Sequence, residues 1–199
     1  MRKLVFEDHE YYHIYNRGVD KRTVFNSPNH FQRFINTIDR ILTTGSATPR
    51  PSFDQSQALN HDIDILAYCL MPNHYHFLVR QNQNEGVTRF MQQLNTSYTK
   101  YINLNLHRTG HLFEYAFKAK HIETEEQLLH VSRYIHLNPR LANLVHSVQD
   151  YEWSSFPEYL NHRPLQFIKP DDILIHFSDS SAYKRFVLDQ IEYAILLKK

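Results

Sequence analysis

Two strand-like segments on either side of a turn constrain the fold of this chain more than any other feature. Residues 63–70 and 74–80 are rich in apolar, aromatic and β-branched side chains, and Pro72-Asn73 lies between them. Such side chains favour strands, while Pro and Asn favour the turn that joins them. The pattern therefore predicts a β-hairpin.

The second strand of this hairpin carries two histidines. His74 and His76 alternate with Tyr75 and Phe77. Successive side chains of a strand point to opposite faces, so the two imidazoles share one face and the two aromatic rings share the other. Neighbouring neutral imidazoles are common ligands of divalent metal ions. The strand thus supplies half of a candidate metal site, and other segments must supply the rest.

Periodicity in the rest of the chain predicts an α+β fold. Further strands are predicted at residues 11–16 and within residues 112–122, which hold one or two. Helices are predicted at residues 29–42, 87–106, from Thr124 to the Asn138-Pro139 pair, and over most of 151–160 and 172–198. Residues 43–60 are rich in Thr, Ser, Pro and Gln and predict a surface loop. Because the order mixes adjacent strands with helices, we expect an antiparallel sheet with helices packed on it.

Composition narrows the class of protein. The chain has 199 residues, 42% hydrophobic residues and 13 each of Tyr and Phe, which suffices for one folded domain with an appended C-terminal element. A formal net charge of +1 gives no general attraction to nucleic acid, so a polyanionic partner must be held by local patches. Cys69 is the single cysteine, which excludes a disulfide framework and suits a reducing cytoplasm.

The same composition gives no sign of export or of a membrane partner. The first residues turn acidic before any apolar run develops, unlike a signal peptide. No segment approaches the roughly 18 apolar residues that a membrane span requires.

The helix that begins near Thr124 offers a second half for the metal site. His130, Tyr134 and Asn138 are spaced four residues apart, which places them on one helical face. A tyrosine hydroxyl and an amide one turn apart can meet the paired histidines if this helix packs beside their strand. His130 is more typical of a surface or packing residue than of a further ligand, and Tyr98 and Tyr101 are alternative tyrosines.

Four stretches of the sequence resemble the single-tyrosine HUH transposases, which include small insertion-sequence transposases and REP-associated tyrosine transposases. The stretches are Tyr12-His13-Ile14-Tyr15-Asn16-Arg17-Gly18, Tyr68 through Val79 with its Met71-Pro72-Asn73-His74-Tyr75-His76, Arg108-Thr109-Gly110-His111-Leu112-Phe113, and Arg133-Tyr134-Ile135-His136-Leu137-Asn138-Pro139-Arg140. They follow the order found in that family and cover roughly residues 10 to 156.

The resemblance implies a fold and a domain organisation. It predicts an RRM/ferredoxin-like antiparallel sheet carrying helices, with the transposase domain at residues 1–156 and a C-terminal helical extension of unknown role at residues 157–199. The protein is then expected in the cytoplasm, as a monomer or as a homodimer with an active site shared between subunits.

The resemblance also implies an active site. His74 and His76 are expected to bind Mg²⁺ or Mn²⁺, with Asn138 as an amide-type third ligand, and Tyr134 is expected to be the nucleophile. The expected reaction cleaves single-stranded DNA next to an inverted-repeat hairpin, and leaves a 5′-phosphotyrosine and a free 3′-hydroxyl that can rejoin the strands. A divalent ion suits this chemistry because it neutralises the charge of the phosphodiester under attack.

The sequence departs from the family at two places. The residue between the histidines is usually a bulky hydrophobe, and here it is Tyr75, which we expect to point into the sheet core. Many relatives carry an arginine on the strand that follows Phe113, whereas this chain has Lys118 and Lys120. Candidate DNA-binding residues are the basic side chains within or near the four stretches, namely Arg17, Lys100, Arg108, Lys118, Lys120, Arg133 and Arg140.

Two other functions stay open at the level of sequence. One is a non-catalytic RRM-like module, derived from a transposase, that binds DNA or RNA by stacking bases on Tyr12 and Tyr15. The other is a metal-dependent hydrolase of small phosphate esters.

Overall fold

The computed structural model describes residues 4–43, 58–163, 165–189 and 191. Its strands are β1 (Tyr11–Arg17), β2 (Ile63–Met71), β3 (His74–Gln81) and β4 (Lys118–Ile122). They form one sheet in the order β2-β3-β1-β4, and every pair of neighbours is antiparallel. The predicted loop at residues 43–60 falls largely on residues 44–57, which lie outside the described residues.

Among the described residues, three long helices and three short ones accompany the sheet. They are α1 (Pro28–Thr43), α2 (Gly86–Asn105), α3 (Glu125–Leu141), α4 (Phe156–Tyr159), α5 (Asp171–Leu174) and α6 (Ser180–Leu188). Short 3₁₀ turns occur at Val19–Lys21 and Val148–Asp150. The predicted α+β fold with an antiparallel sheet is confirmed. None of the helices within the described ranges has the length and apolar character needed to cross a membrane.

The predicted hairpin is formed by β2 and β3, with Met71 opposite His74 across the Pro72-Asn73 turn. Tyr75 points into the core as expected: it is fully buried, and its hydroxyl donates a hydrogen bond of 3.0 Å to the side-chain oxygen of Asn95. The alternation of β3 therefore places His74 and His76 on the opposite face of the sheet.

The two faces of the sheet are covered by different layers. One face packs on α1 and α2, with Ile14, Phe77, Phe34 and Phe90 among the buried residues of this core. The other face packs on α3 and the C-terminal segments, and this second core contains Leu78 together with further buried residues from β2, α3, α4 and α6. The predicted boundary between residues 156 and 157 stays a prediction, since residues on both sides of it belong to this second core.

The prediction that residues 151–160 are mostly helical is wrong. Only α4 is helical, and the residues before it run along the outer edge of β2. The backbone N–H of Leu70 donates to the carbonyl of Trp153 (2.9 Å), and the N–H of Ser155 donates to the carbonyl of Tyr68 (3.0 Å). These bonds satisfy edge groups of β2 that would otherwise lack a strand partner, and this long-range pairing outweighs the local helical pattern.

Helix α3 begins as predicted and ends later than predicted. The Thr124 hydroxyl accepts a hydrogen bond from the N–H of Gln127 (3.2 Å), and the Gln127 side chain accepts one from the N–H of Glu123 (3.0 Å), so the start resembles a capping box whose return bond reaches the residue before the cap. The predicted stop at Asn138-Pro139 is wrong, because the helix continues to Leu141 and the N–H of Ala142 still donates to the carbonyl of Asn138 (2.9 Å). A proline in the last turn removes only its own N–H bond.

Two further predictions of secondary structure are confirmed, with the elements shorter than the predicted ranges. Residues 112–122 contain β4 and an isolated bridge between Gly18 and Phe113, so the second strand is reduced to that bridge. Residues 172–198 were expected to be mostly helical, but α5 and α6 are separate because the Asp179 side chain accepts a hydrogen bond from the N–H of Ala182 (2.7 Å) and starts a new helix. Residues 192–199 lie outside the described residues.

Candidate active site

The paired histidines lie together on the sheet face that α3 covers. His74 is opposite Arg17 and His76 is opposite Tyr15 in the pairing of β3 with β1. The two imidazole centroids are 5.0 Å apart, and their ring planes are perpendicular. The sheet therefore fixes the spacing of the two candidate ligands, because both belong to an internal strand.

Helix α3 brings Tyr134 to these histidines within one chain. The Tyr134 ring lies 5.4 Å from the ring of His76 and 5.9 Å from the ring of His13, edge-on in both cases. Tyr134 keeps 41% of its surface exposed although its neighbours on α3 are buried. An exposed phenol beside a histidine pair is placed to meet a substrate arriving from solvent.

Asn138 lies one helical turn after Tyr134 and is buried. Its side-chain nitrogen donates a hydrogen bond of 2.9 Å to the backbone carbonyl of Tyr134. This bond orients the amide, and the amide oxygen is the atom of Asn138 that has lone pairs suited to a cation.

His13 belongs to the same cluster, although the sequence patterns do not identify it as a site residue. Its Nε2 lies 2.9 Å from Nδ1 of His76, and the two rings meet edge to edge, with centroids 5.1 Å apart and planes within 24° of parallel. Burial, and secondly the charge of Lys120, lowers the pKa of His13 to about 4, so His13 is neutral at neutral pH. His13 lies in the stretch from Tyr12 to Gly18 that resembles the family, but only the pairing of β1 with β3 shows that His76 is its partner.

The donor set suits an ion that accepts nitrogen and oxygen ligands. Within the described ranges, no three His, Cys, Asp or Glu side chains group around a common point, so a metal ion at His74 and His76 would need a ligand of another type, for which the Asn138 amide is the predicted residue. The His74 Nδ1 is 2.6 Å from the side-chain oxygen of Asn73, an outer contact typical of metal-binding histidines. Two imidazoles and an amide leave coordination positions open for phosphate and water, which fits Mn²⁺ or Mg²⁺.

The alternative residues are placed elsewhere. Tyr98 is buried in the opposite layer, where its hydroxyl donates to the carbonyl of Val24 (2.8 Å). His130 is exposed, lies 3.7 Å from Glu126, and faces the Phe186 ring at 6.2 Å. The structure thus brings Tyr134 to the histidine pair and leaves Tyr98 and His130 away from it.

Three of the candidate DNA-binding residues share the face of the site. Arg17 is paired with His74, while Lys118 and Lys120 are paired with Tyr15 and His13 across β1 and β4. Residues directly opposite in an antiparallel pair point to the same side. Exposed Arg17, Lys118 and Lys120 therefore flank the histidines on one continuous surface.

The other four candidates do not join this surface. Lys100 is exposed on α2 in the opposite layer, and Arg108 donates hydrogen bonds to Asn103 (2.9 Å) and His111 (3.0 Å) that hold a turn. Arg133 is only 8% exposed, and its guanidinium lies 3.7 Å from the Phe186 ring centroid, between α3 and α6. Arg140 is half-buried near the end of α3.

A buried histidine anchors the helix that carries Tyr134. His136 is fully buried, with its Nδ1 2.8 Å from the Tyr183 hydroxyl and its Nε2 2.8 Å from the Ser155 hydroxyl. Burial lowers the pKa of His136 to about 3. The network ties α3 to α6 and to the segment along β2, and so fixes Tyr134 relative to the sheet.

The geometry agrees with a match to a known family. The family described as IS200-like transposases matches residues 51–138, a span that includes His74, His76 and Tyr134 and ends at Asn138. The resemblance predicted from the four sequence stretches is thereby confirmed. A comparison with curated proteins finds no significant match.

One solved structure supports the fold of this chain. It is similar to a REP-associated tyrosine transposase bound to a REP hairpin, with 11% identity, a TM-score of 0.61, and coverage of 85% of this chain and 96% of the other. A putative transposase from Deinococcus radiodurans aligns with 15% identity, a TM-score of 0.39, and coverage of 68% of this chain and 95% of the other.

Proposed function

We propose that this protein is a transposase that cleaves and rejoins single-stranded DNA beside a hairpin, with Tyr134 as the nucleophile. The observation that carries the proposal is the position of the exposed Tyr134 ring, 5.4 Å from His76 on the face that also holds His74. The match to IS200-like transposases over residues 51–138 supports DNA as the substrate.

The proposed reaction needs few groups. The Tyr134 oxygen attacks the phosphorus, the bond from phosphorus to the 3′-oxygen breaks, and that oxygen leaves as a hydroxyl after taking up a proton from solvent. Tyr134 loses its own proton and holds the 5′-phosphate as an ester, which keeps the bond energy for rejoining by a 3′-hydroxyl. His74, His76 and Asn138 would hold a divalent ion, which supplies charge neutralisation at a non-bridging oxygen when bound.

Local positive charge explains how a chain with a net charge of only +1 can hold DNA. Arg17, Lys118 and Lys120 flank the histidines and can contact successive phosphates on either side of the scissile bond. Lys118 also lies 4.2 Å from the ring centroid of Tyr115, an exposed aromatic residue on which an unpaired base can stack.

We further propose that one chain forms the whole site. Tyr134 meets the histidines of its own sheet, and the His136 network holds α3 in that place. The protein then acts as a monomer in the cytoplasm, where a hairpin formed by an inverted repeat is the partner. A homodimer with exchanged α3 helices is the competing arrangement, and sedimentation of the protein with its hairpin separates the two.

Covalent trapping tests the proposal. Labelled single-stranded DNA with the hairpin that flanks the coding sequence is incubated with Mn²⁺ or with EDTA, and the products are separated on a denaturing gel. We expect a band of protein linked to DNA that requires Mn²⁺ and is lost in Tyr134→Phe, while Tyr134→Phe still binds the same DNA. Tyr101→Phe is the matched control, because Tyr101 lies in the layer opposite the site.

Two outcomes favour the other functions. Tight binding without a covalent band in any condition indicates the non-catalytic module, for which Tyr15 is the stacking candidate, since Tyr12 is buried against the opposite layer. Metal-dependent turnover of a small phosphate ester without any DNA cleavage indicates the hydrolase. A covalent band that persists in Tyr134→Phe contradicts the assignment of the nucleophile.

A further inference from the structure

We propose that His13 is a positioning residue for His76: it accepts a hydrogen bond from Nδ1–H of His76 and so presents the Nε2 lone pair of His76 to the metal ion. The proposal rests on the proposed function, because it assigns His76 to a metal site. It adds a third histidine to the site, in a role distinct from that of a ligand.

The sheet places the two rings in contact. His13 lies on β1 opposite Leu78, two residue pairs away from the Tyr15–His76 pair, so its side chain shares the face of the site. The 2.9 Å separation between His13 Nε2 and His76 Nδ1 is a hydrogen-bond distance. His13 is 9% exposed and is bounded by the Tyr15 ring at 5.1 Å and the Tyr134 ring at 5.9 Å, so its ring has little freedom to rotate.

A neutral imidazole has one donor and one acceptor nitrogen, so this contact must have a direction. If His76 donates from Nδ1, its Nε2 keeps the lone pair that a metal requires. If His13 donates instead, the proton of His76 sits on Nε2 and blocks binding through that atom. The direction of one hydrogen bond therefore decides whether His76 can bind metal through Nε2.

His74 provides an internal comparison. The side-chain nitrogen of Asn73 donates to the carbonyl of Lys21 (3.1 Å), which turns the Asn73 oxygen towards His74 Nδ1 at 2.6 Å. An amide oxygen only accepts, so His74 carries its proton on Nδ1 and has its lone pair on Nε2. If His13 accepts a hydrogen bond from His76, then His74 and His76 both present Nε2 to the metal ion. Each of them donates its Nδ1–H to an acceptor, which is Asn73 for His74 and His13 for His76. Outer acceptors of this kind orient metal-binding histidines and fix their tautomer.

The tautomer of His76 is measurable in the metal-free protein. Long-range ¹H–¹⁵N NMR spectra, assigned with His76→Gln, report which ring nitrogen carries the proton. We expect protonated Nδ1 and unprotonated Nε2 at His76 in the wild-type protein. Protonated Nε2 at His76 overturns the proposal, whatever the protein does to DNA.

Metal binding by variants whose circular dichroism spectra match that of the wild type gives a second measurement. Mn²⁺ affinity is measured by calorimetry for His13→Leu, which cannot accept a hydrogen bond, and for His13→Gln, whose side-chain oxygen reaches the place of Nε2. We expect His13→Leu to weaken Mn²⁺ binding by about 10–100-fold and His13→Gln to restore most of it. His121→Gln is the control, because His121 lies on β4 opposite Tyr12, on the other face of the sheet. Equal affinity of the Leu variant and the wild type contradicts the positioning role.

The two measurements separate this inference from the proposed function. A wild-type protein that binds no Mn²⁺ removes the metal step of the proposed function and the positioning role with it. Mn²⁺ binding that depends on His13, in a protein that forms no covalent DNA complex, supports the positioning role and removes the proposed reaction.

Discussion

Acid should unfold this protein earlier than its carboxylates alone predict, because two buried histidines are neutral in the folded state. The pKa of His136 is lowered to about 3 and that of His13 to about 4, both chiefly by burial. In the unfolded chain each takes up a proton near its usual pKa of about 6.5. The unfolded state therefore binds more protons below that value, and stability falls as the pH falls from about 6.5 towards the folded pKa of each group.

The size of the effect follows from the width of the pH interval. Each pH unit below the unfolded pKa costs about 1.4 kcal/mol per histidine until the folded form also titrates. Between pH 7 and pH 5, His136 and His13 should each remove about 2 kcal/mol from the free energy of unfolding, or about 4 kcal/mol together. Most carboxylates still ionise at pH 5, so this interval isolates the histidines.

Urea denaturation at pH 7 and pH 5 measures this loss for the wild type, His136→Gln and a His121→Gln control. At pH 7, His136→Gln should be less stable by about 1–3 kcal/mol, because Gln cannot satisfy both the Tyr183 and Ser155 hydroxyls. Its further loss on going to pH 5 should be about 2 kcal/mol rather than about 4. An equal loss in the wild type and in His136→Gln would refute the assignment of the acid sensitivity to the buried, neutral state of His136.

Three further outcomes test the site. Asn138→Ala should weaken Mn²⁺ binding, measured by calorimetry, by about 10–100-fold or more, since even residues that only hydrogen-bond to metal ligands have effects of that size. Unchanged affinity would remove Asn138 from the ligand set. The double variant Lys118→Ala, Lys120→Ala should lower the slope of log affinity for single-stranded DNA against log salt by about 1.4, whereas Lys100→Ala should leave it unchanged. EDTA should abolish covalent attachment to Tyr134 without changing the circular dichroism spectrum, and attachment that survives metal removal would contradict the metal-dependent mechanism.

The part of the site that could be predicted from sequence is the part that depends on local periodicity. The spacing of His74 and His76 fixed their common face, and the four-residue interval from Tyr134 to Asn138 fixed theirs. The strands, the three long helices and the helix start at Thr124 follow from the same local rules.

The features of the fold and the site that could not be predicted from the sequence depend on which strands become neighbours. His13 became a partner of His76 only because β1 pairs with β3, and a strand order of this kind is not encoded by the period of any one segment. A helix is predicted over most of residues 151–160, but residues 153–155 lie along β2, where they pair with edge groups, and a short isolated helix is only marginally stable. Arg133 appeared to be a DNA contact from its position beside Tyr134, yet the helix turns it towards Phe186.

The segment along β2 also limits edge-to-edge association between copies of the protein. The Trp153 carbonyl accepts a hydrogen bond from β2, and the Ser155 N–H and the Tyr151 hydroxyl donate to β2, so they occupy backbone groups that could otherwise pair with another copy of the chain. The same segment carries Ser155, which holds His136 and through it the helix of Tyr134. A shortened chain that stops before Tyr151 would therefore lose the contacts that hold the helix of Tyr134, and it would also expose the edge of β2. Self-association and loss of activity should appear together in such a chain.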